Sequence, residues 1–111
     1  MFRLVNPQSH SVVVVLDNVR SLYNTGSILR TADAAGVERV VLCGITPRPD
    51  QGSRQRRAIA KTALGAEESV AWDYEPTTRA ALERFKAAGY EIAVMQVLQE
   101  CIHGVDASRG V

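Results

Sequence analysis

Asn24, Gly26 and Arg30 stand within one seven-residue stretch, Asn24-Thr25-Gly26-Ser27-Ile28-Leu29-Arg30. Small residues opening a helix leave free backbone N–H groups, and the helix dipole favours negative charge at that end. An arginine about two turns along the same helix adds a planar charged fork that matches phosphate or ribose phosphate. Further on, Arg48, Arg54, Arg56 and Arg57 make Ile45–Arg57 the most basic part of the chain. Such a segment suits the phosphates of a nucleic acid. Other chemistry is poorly represented. The two cysteines, Cys43 and Cys101, lie in no CxxC and build no disulfide framework. Cys43 follows Val40-Val41-Leu42 and reads as a buried small apolar residue. His10 and His103 have no ligand spacing around them, so no metal site is expected.

These residues must be held by a scaffold, and the apolar pattern indicates which. Val12–Leu16 is a continuous apolar run of the kind seen in strands buried on both faces. A helix is predicted from Asn24 to Ala35, with Ile28, Leu29, Ala32 and Ala35 on one face and Gly36 as its stop. Arg39–Cys43 reads as a second strand. Ile45–Arg57 reads as a loop, because Pro47, Pro49, Asp50, Gly52 and Ser53 favour turns. A short helix over Ala58–Leu64, a third strand over Ser69–Asp73, a helix with Pro76 in its first turn, and a fourth strand over Glu91–Gln96 complete the pattern. Strands alternating with helices imply an α/β fold, a parallel sheet with flanking helices. Ligands of such sheets bind beyond the C-terminal strand ends, where Asp17 and Asn18 lie.

Composition narrows the classes. A chain of 111 residues, 46% hydrophobic, is one globular domain at most. Thirteen basic against twelve acidic residues give a net charge of +1, which excludes a broadly basic coat but not a local basic patch. No apolar run approaches the roughly 20 residues that span a bilayer, so no membrane partner is expected. The N-terminus MFRLVNPQSH has no signal-peptide core, and a cytoplasmic address follows.

The stretch LDNVRSLYNTGSILRTADAAGVERVVLCGITP resembles the first signature motif of the SpoU (TrmH-like) RNA 2′-O-ribose methyltransferases of the SPOUT superfamily. The pattern is Asn-x-Gly-x-x-x-Arg-Thr-Ala, here Asn24, Gly26, Arg30, Thr31 and Ala32, and KTALGAEESV from Lys61 to Val70 is similar to the same family. The resemblance runs from Val12 to Met95. It implies methyl transfer from S-adenosylmethionine to a ribose 2′-hydroxyl of tRNA or rRNA, by a homodimer whose α/β sheet ends in a knot that holds the donor. It also implies that Arg30 is catalytic and that Asn24 helps build its site.

Two later motifs of the family, one with Gly-Asn-Glu and one with Ser-Leu-Asn-Val-Ser, do not occur here. The expectation is therefore the N-terminal part of an α/β-knot domain over residues 1–96 and a divergent tail over 97–111, with the knot absent or incomplete. The tail shows no clear period. Donor-binding residues cannot be named, and the isolated chain is expected to be inactive. A non-catalytic RNA-binding or dimerisation module is the alternative.

Each candidate also has a plainer reading. Arg30 either clamps ribose or phosphate and steadies a developing alkoxide, or braces its helix against a neighbour. Asn24 suits a helix N-cap as well as a site. Gly26 allows close approach of a ligand or a second chain. Asn18, Gly26, Arg48, Arg54, Arg56 and Arg57 form the expected RNA-contacting set, with a merely solvated arginine loop as the other reading. Trp72, Tyr74 and Tyr90 read as core and strand-end residues, not as a stacking platform.

Overall fold

The structure is a computed structural model, and it describes residues 1–94. Five strands form one sheet, β1 (Phe2–Val5), β2 (Val12–Asp17), β3 (Arg39–Cys43), β4 (Trp72–Glu75) and β5 (Glu91–Val94). Four helices accompany them, α1 (Leu22–Ala35), α2 (Ser53–Ala63), α3 (Ala66–Ser69) and α4 (Thr78–Ala87). The strand order is β4-β3-β2-β1-β5.

The sheet is mixed, which corrects the purely parallel expectation. β2, β3 and β4 run parallel, whereas β1 pairs antiparallel with both β2 and β5. The additional strand β1 lies in the N-terminal segment. Its tight return over Asn6–Ser11 is closed by backbone bonds from His10 to Asn6 and from Asn6 to Ser11. A short return of this kind dictates antiparallel pairing. β5 still points the same way as β2, because β1 separates them.

Helices cover both faces. On one, Ile28, Leu29 and Ala32 of α1, Ile59 and Ala63 of α2 and Ala66 of α3 pack on Val14, Leu16, Val40 and Leu42. On the other, Ala81 and Phe85 of α4 pack with Leu4, Val13, Val15, Val41 and Cys43. Alternate residues of β2 and β3 thus enter opposite cores, which explains their unbroken apolar runs. Each fully buried Leu, Ile or Val contributes about 1.5–3 kcal/mol.

Boundaries differ from the sequence pattern in ways that have local causes. α1 begins at Leu22, because the Ser21 hydroxyl accepts the Asn24 amide at 3.0 Å and caps the helix. Asn24 is therefore inside the first turn and is not the cap. Ser53–Arg57 is helical, so the expected loop ends at Gly52. Ser69 closes α3, and the third of the parallel strands starts at Trp72. Pro76 precedes the α4 cap, Thr77, whose hydroxyl accepts the Ala80 amide. The last two residues of the fourth predicted strand, the tail with Cys101 and His103, and any knot lie outside the described residues.

Candidate functional site

α1 positions the two residues of greatest interest. Asn24 is half-buried in the first turn and Arg30 is exposed near the middle. Six residues of α-helix separate them by roughly 120° around the axis and about 9 Å along it. Within one chain they therefore flank opposite sides of α1 and do not converge. Arg30 forms no ion pair or side-chain hydrogen bond among the described residues. Thr31 returns its hydroxyl to the Ser27 carbonyl at 3.1 Å, one turn earlier.

Gly26 is covered by α2. A Cβ there would collide with the Thr62 hydroxyl and the Ile59 carbonyl and would sit 3.1 Å from the Ala63 nitrogen. The close approach this glycine permits is helix to helix, inside one chain. Thr62 adds a bond across the same junction, donating its hydroxyl to the Tyr23 carbonyl at 2.9 Å. Gly26 thus sets the placement of α1 beside α2, and the face expected to meet RNA is closed at this residue.

The arginines divide into two groups. Arg48 remains in the loop, but its guanidinium lies 4.4 Å over the Tyr74 ring and pairs with Asp50 at 3.0 Å. Arg56 pairs with Glu68 at 3.0 Å and joins α2 to α3. Arg54 and Arg57 are exposed and have no ion pair among the described residues. Both lie on α2 opposite the buried Ile59 and Ala63. Lys61 extends them, since spacings of three and four residues place Arg54, Arg57 and Lys61 on one face. Lys61 was readable from this spacing only once Ser53–Arg57 was known to be helical.

The C-terminal edge of the sheet is tied to itself. Asn18, with a left-handed φ of 52°, accepts the Ile45 amide at 3.0 Å and donates to Asp17 at 3.0 Å. Gly44 passes so close to the Asn18 side chain that a Cβ would overlap it. Thr46 is buried, and its hydroxyl donates at the Cys43 and Leu16 carbonyls while accepting the Val19 amide at 3.0 Å. The Tyr74 hydroxyl donates to the Gly44 carbonyl at 2.9 Å. Tyr74 and Trp72 are half-buried on β4, and Tyr90 packs edge-on to Phe85 at 5.2 Å. None of the three forms an open platform.

Two places remain for a donor. S-adenosylmethionine carries an amino-acid head, a ribose diol and an adenine, each of which needs polar partners. At the sheet edge those partners are occupied by one another. A groove of about 620 Å³ between α1 and β1 has Arg3, His10, Ser11, Thr31 and Glu38 among apolar residues such as Val14, Ile28 and Val37, and it lies at the N-terminal ends of β2 and β3, away from the strand ends where ligands of such sheets bind. The C-terminal strand ends formed by the described residues therefore do not fit the donor. Among the described residues there is also no cluster of His, Cys, Asp or Glu suited to a metal. No described helix is long and apolar enough to cross a membrane. Cys43 is buried at the end of β3, where burial first and the Asp17, Glu75 and Asp73 carboxylates next push its thiol up to about 11, against the opposing hydrogen bond from Thr78. It is a thiol packed in a core, as its neighbours in the sequence suggest.

Known proteins share this sequence pattern and this fold. The model of the SpoU rRNA Methylase family matches residues 11–110, past the domain boundary expected at residue 96. The 23S rRNA (guanosine-2′-O-)-methyltransferase RlmB of Pasteurella multocida is 46% identical over 68 residues, 60% of this chain and 25% of that protein. A putative TrmH family tRNA/rRNA methyltransferase of Staphylococcus haemolyticus is 34% identical over 84 residues, 75% of this chain and 31% of that protein. A crystal structure of an RNA 2′-O ribose methyltransferase superposes with a TM-score of 0.55 at 22% identity, over 69% of this chain and 27% of that one. The chain thus spans about a quarter to a third of the relatives' length.

Proposed function

Because the chain belongs to the SpoU rRNA methylase family, we propose that it is the RNA-facing part of a 2′-O-methyltransferase domain, acting on a ribose hydroxyl of tRNA or rRNA. The observation that carries this reading is the exposed basic face of α2, without an ion pair among the described residues, on a helix held against α1 by the Gly26 junction. A family-type methyl transfer is an in-line displacement, in which positioning accounts for most of the gain. In it Arg30 holds the ribose phosphate and stabilises negative charge on the attacking oxygen. Asn24 lies on the other side of the helix, so both act on one substrate only if two chains meet. A homodimer is accordingly part of the proposal, as is a cytoplasmic address.

The donor is S-adenosylmethionine, the methyl source the family implies. Its cradle is not supplied by residues 1–94, so these residues by themselves are a binding surface rather than a working centre. Isothermal titration tests this directly. The chain is expected to bind RNA and to show no micromolar binding of S-adenosylmethionine. A clear donor isotherm, or methyl transfer by the chain alone, would sink that assignment.

A further inference from the structure

Tyr23 is the most exposed large hydrophobic residue among those described, at 68%. It occupies the first turn of α1, and none of its side-chain atoms forms a hydrogen bond among the described residues. Its position is fixed from two directions. The Thr62 hydroxyl bonds to its carbonyl, and Thr62 directly follows Lys61, the last member of the α2 basic face. Along α1, Tyr23 and Arg30 are seven residues apart, which places them within roughly 20° of one another around the helix and about 10 Å apart along it. The tyrosine therefore stands beside the C-terminal end of α2, at the residue after Lys61, and on the same side of α1 as Arg30.

An exposed aromatic ring beside a row of cations and a further arginine is an arrangement that single-stranded nucleic acid uses. The cations follow the backbone, and the ring receives an unstacked base by its π-face. A duplex hides its base faces and gives such a ring nothing to stack on. We propose that Tyr23 is a base-stacking platform that selects a single-stranded or looped RNA segment, whose backbone runs from the Arg54-Arg57-Lys61 face towards Arg30. The inference rests on the RNA-facing role proposed above and adds to it the substrate's secondary structure and the residue that reads it.

Fluorescence anisotropy on the full 111-residue chain tests it, with a labelled single-stranded oligouridine and a labelled blunt-ended RNA duplex of equal length. Tyr23→Ala is expected to weaken oligouridine binding on the order of tenfold. It should leave duplex binding and the salt dependence unchanged. Tyr23→Phe keeps the ring and is expected to bind as the unsubstituted chain does. Equal binding by Tyr23→Ala overturns the proposal, and so does a Tyr23→Phe loss as large as that of Ala. A change in sedimentation with no change in RNA affinity also overturns it, and assigns Tyr23 to contact between copies of the chain. The broader reading fails separately. If Arg54→Ala/Arg57→Ala/Lys61→Ala binds oligouridine with unaltered affinity and salt slope, the basic face of α2 is not the RNA surface. If the unsubstituted chain binds neither RNA, both ideas fall.

Discussion

Two parts of this molecule are rich in arginine and use it in opposite ways. On the β4–α4 side, Arg84 bonds Asp73 at 3.0 Å and Glu75 at 3.1 Å, while Arg39 reaches Asp73 at 3.3 Å. The Arg84 guanidinium also lies 4.7 Å over the Phe85 ring, and its hydrogen bond to Asp73 raises its pKa further. On α2, Arg54, Arg57 and Lys61 project opposite the core with no acidic partner among the described residues. The first set is neutralised within the fold and the second offers charge to something outside it. A net charge of +1 conceals this division. Pairing, not the number of arginines, marks the surface a polyanion would find.

The largest effect is expected where the two helices that carry the unpaired set meet. Gly26→Val would drive a branched side chain into the Ile59 carbonyl and Thr62 of α2. Overpacking of this kind costs about 1–3 kcal/mol, and here backbone blocks the relief. Thermal unfolding followed by circular dichroism should show a sharply lowered midpoint, and RNA binding should fall with it. An unchanged midpoint would mean that α1 and α2 are not locked at this residue.

The next effect separates charge from fold. Replacing Arg54, Arg57 and Lys61 together with Ala should leave stability within about 0.5 kcal/mol, because all three are exposed and have no ion pair among the described residues. The slope of log affinity against log salt for single-stranded RNA should drop by about 2, at roughly 0.7 for each phosphate no longer neutralised. Arg84→Ala should do the reverse. It strips Glu75 of its partner and leaves Asp73 with Arg39 alone, and a decrease of about 1 kcal/mol is expected in urea unfolding, modest because the pairs are partly exposed. RNA affinity should not move. If Arg84→Ala weakened RNA binding as much as the α2 substitutions, the division between the two sides would be wrong.

Much of this scaffold was legible in the chain. The runs Val12–Leu16 and Arg39–Cys43 and the Gly36 stop announce β2, β3 and the end of α1, since burial on both faces leaves an uninterrupted apolar signal. The same reasoning missed β1, where four residues with Arg3 among them carry too little pattern without their partner strands. It ended the basic loop too late, because proline, glycine and aspartate up to Gly52 masked a helix whose mean hydropathy is low and whose arginines face water. At the site, Asn24, Gly26 and Arg30 were visible as a motif. Their separation around α1, and the burial of Gly26 under α2, depend on a tertiary contact that spacing alone does not contain.

The smallest effect under ordinary conditions comes from the paired side of the molecule and appears only in alkali. Cys43 is buried beside Asp17, Asp73 and Glu75, and its pKa rises from 9.0 to about 11. A thiol held protonated in the fold favours the folded state fully below its unfolded pKa of 9.0 and loses that contribution as the pH climbs towards 11. Unfolding free energy should therefore decline more steeply between those values for the native chain than for Cys43→Ala, with the two parallel at neutral pH. The difference between the curves isolates this thiol from every other alkaline titration. Parallel curves throughout would show that neither burial nor the carboxylates at the end of β3 raise the Cys43 pKa in the fold, and that this side is more open to solvent than its packing implies.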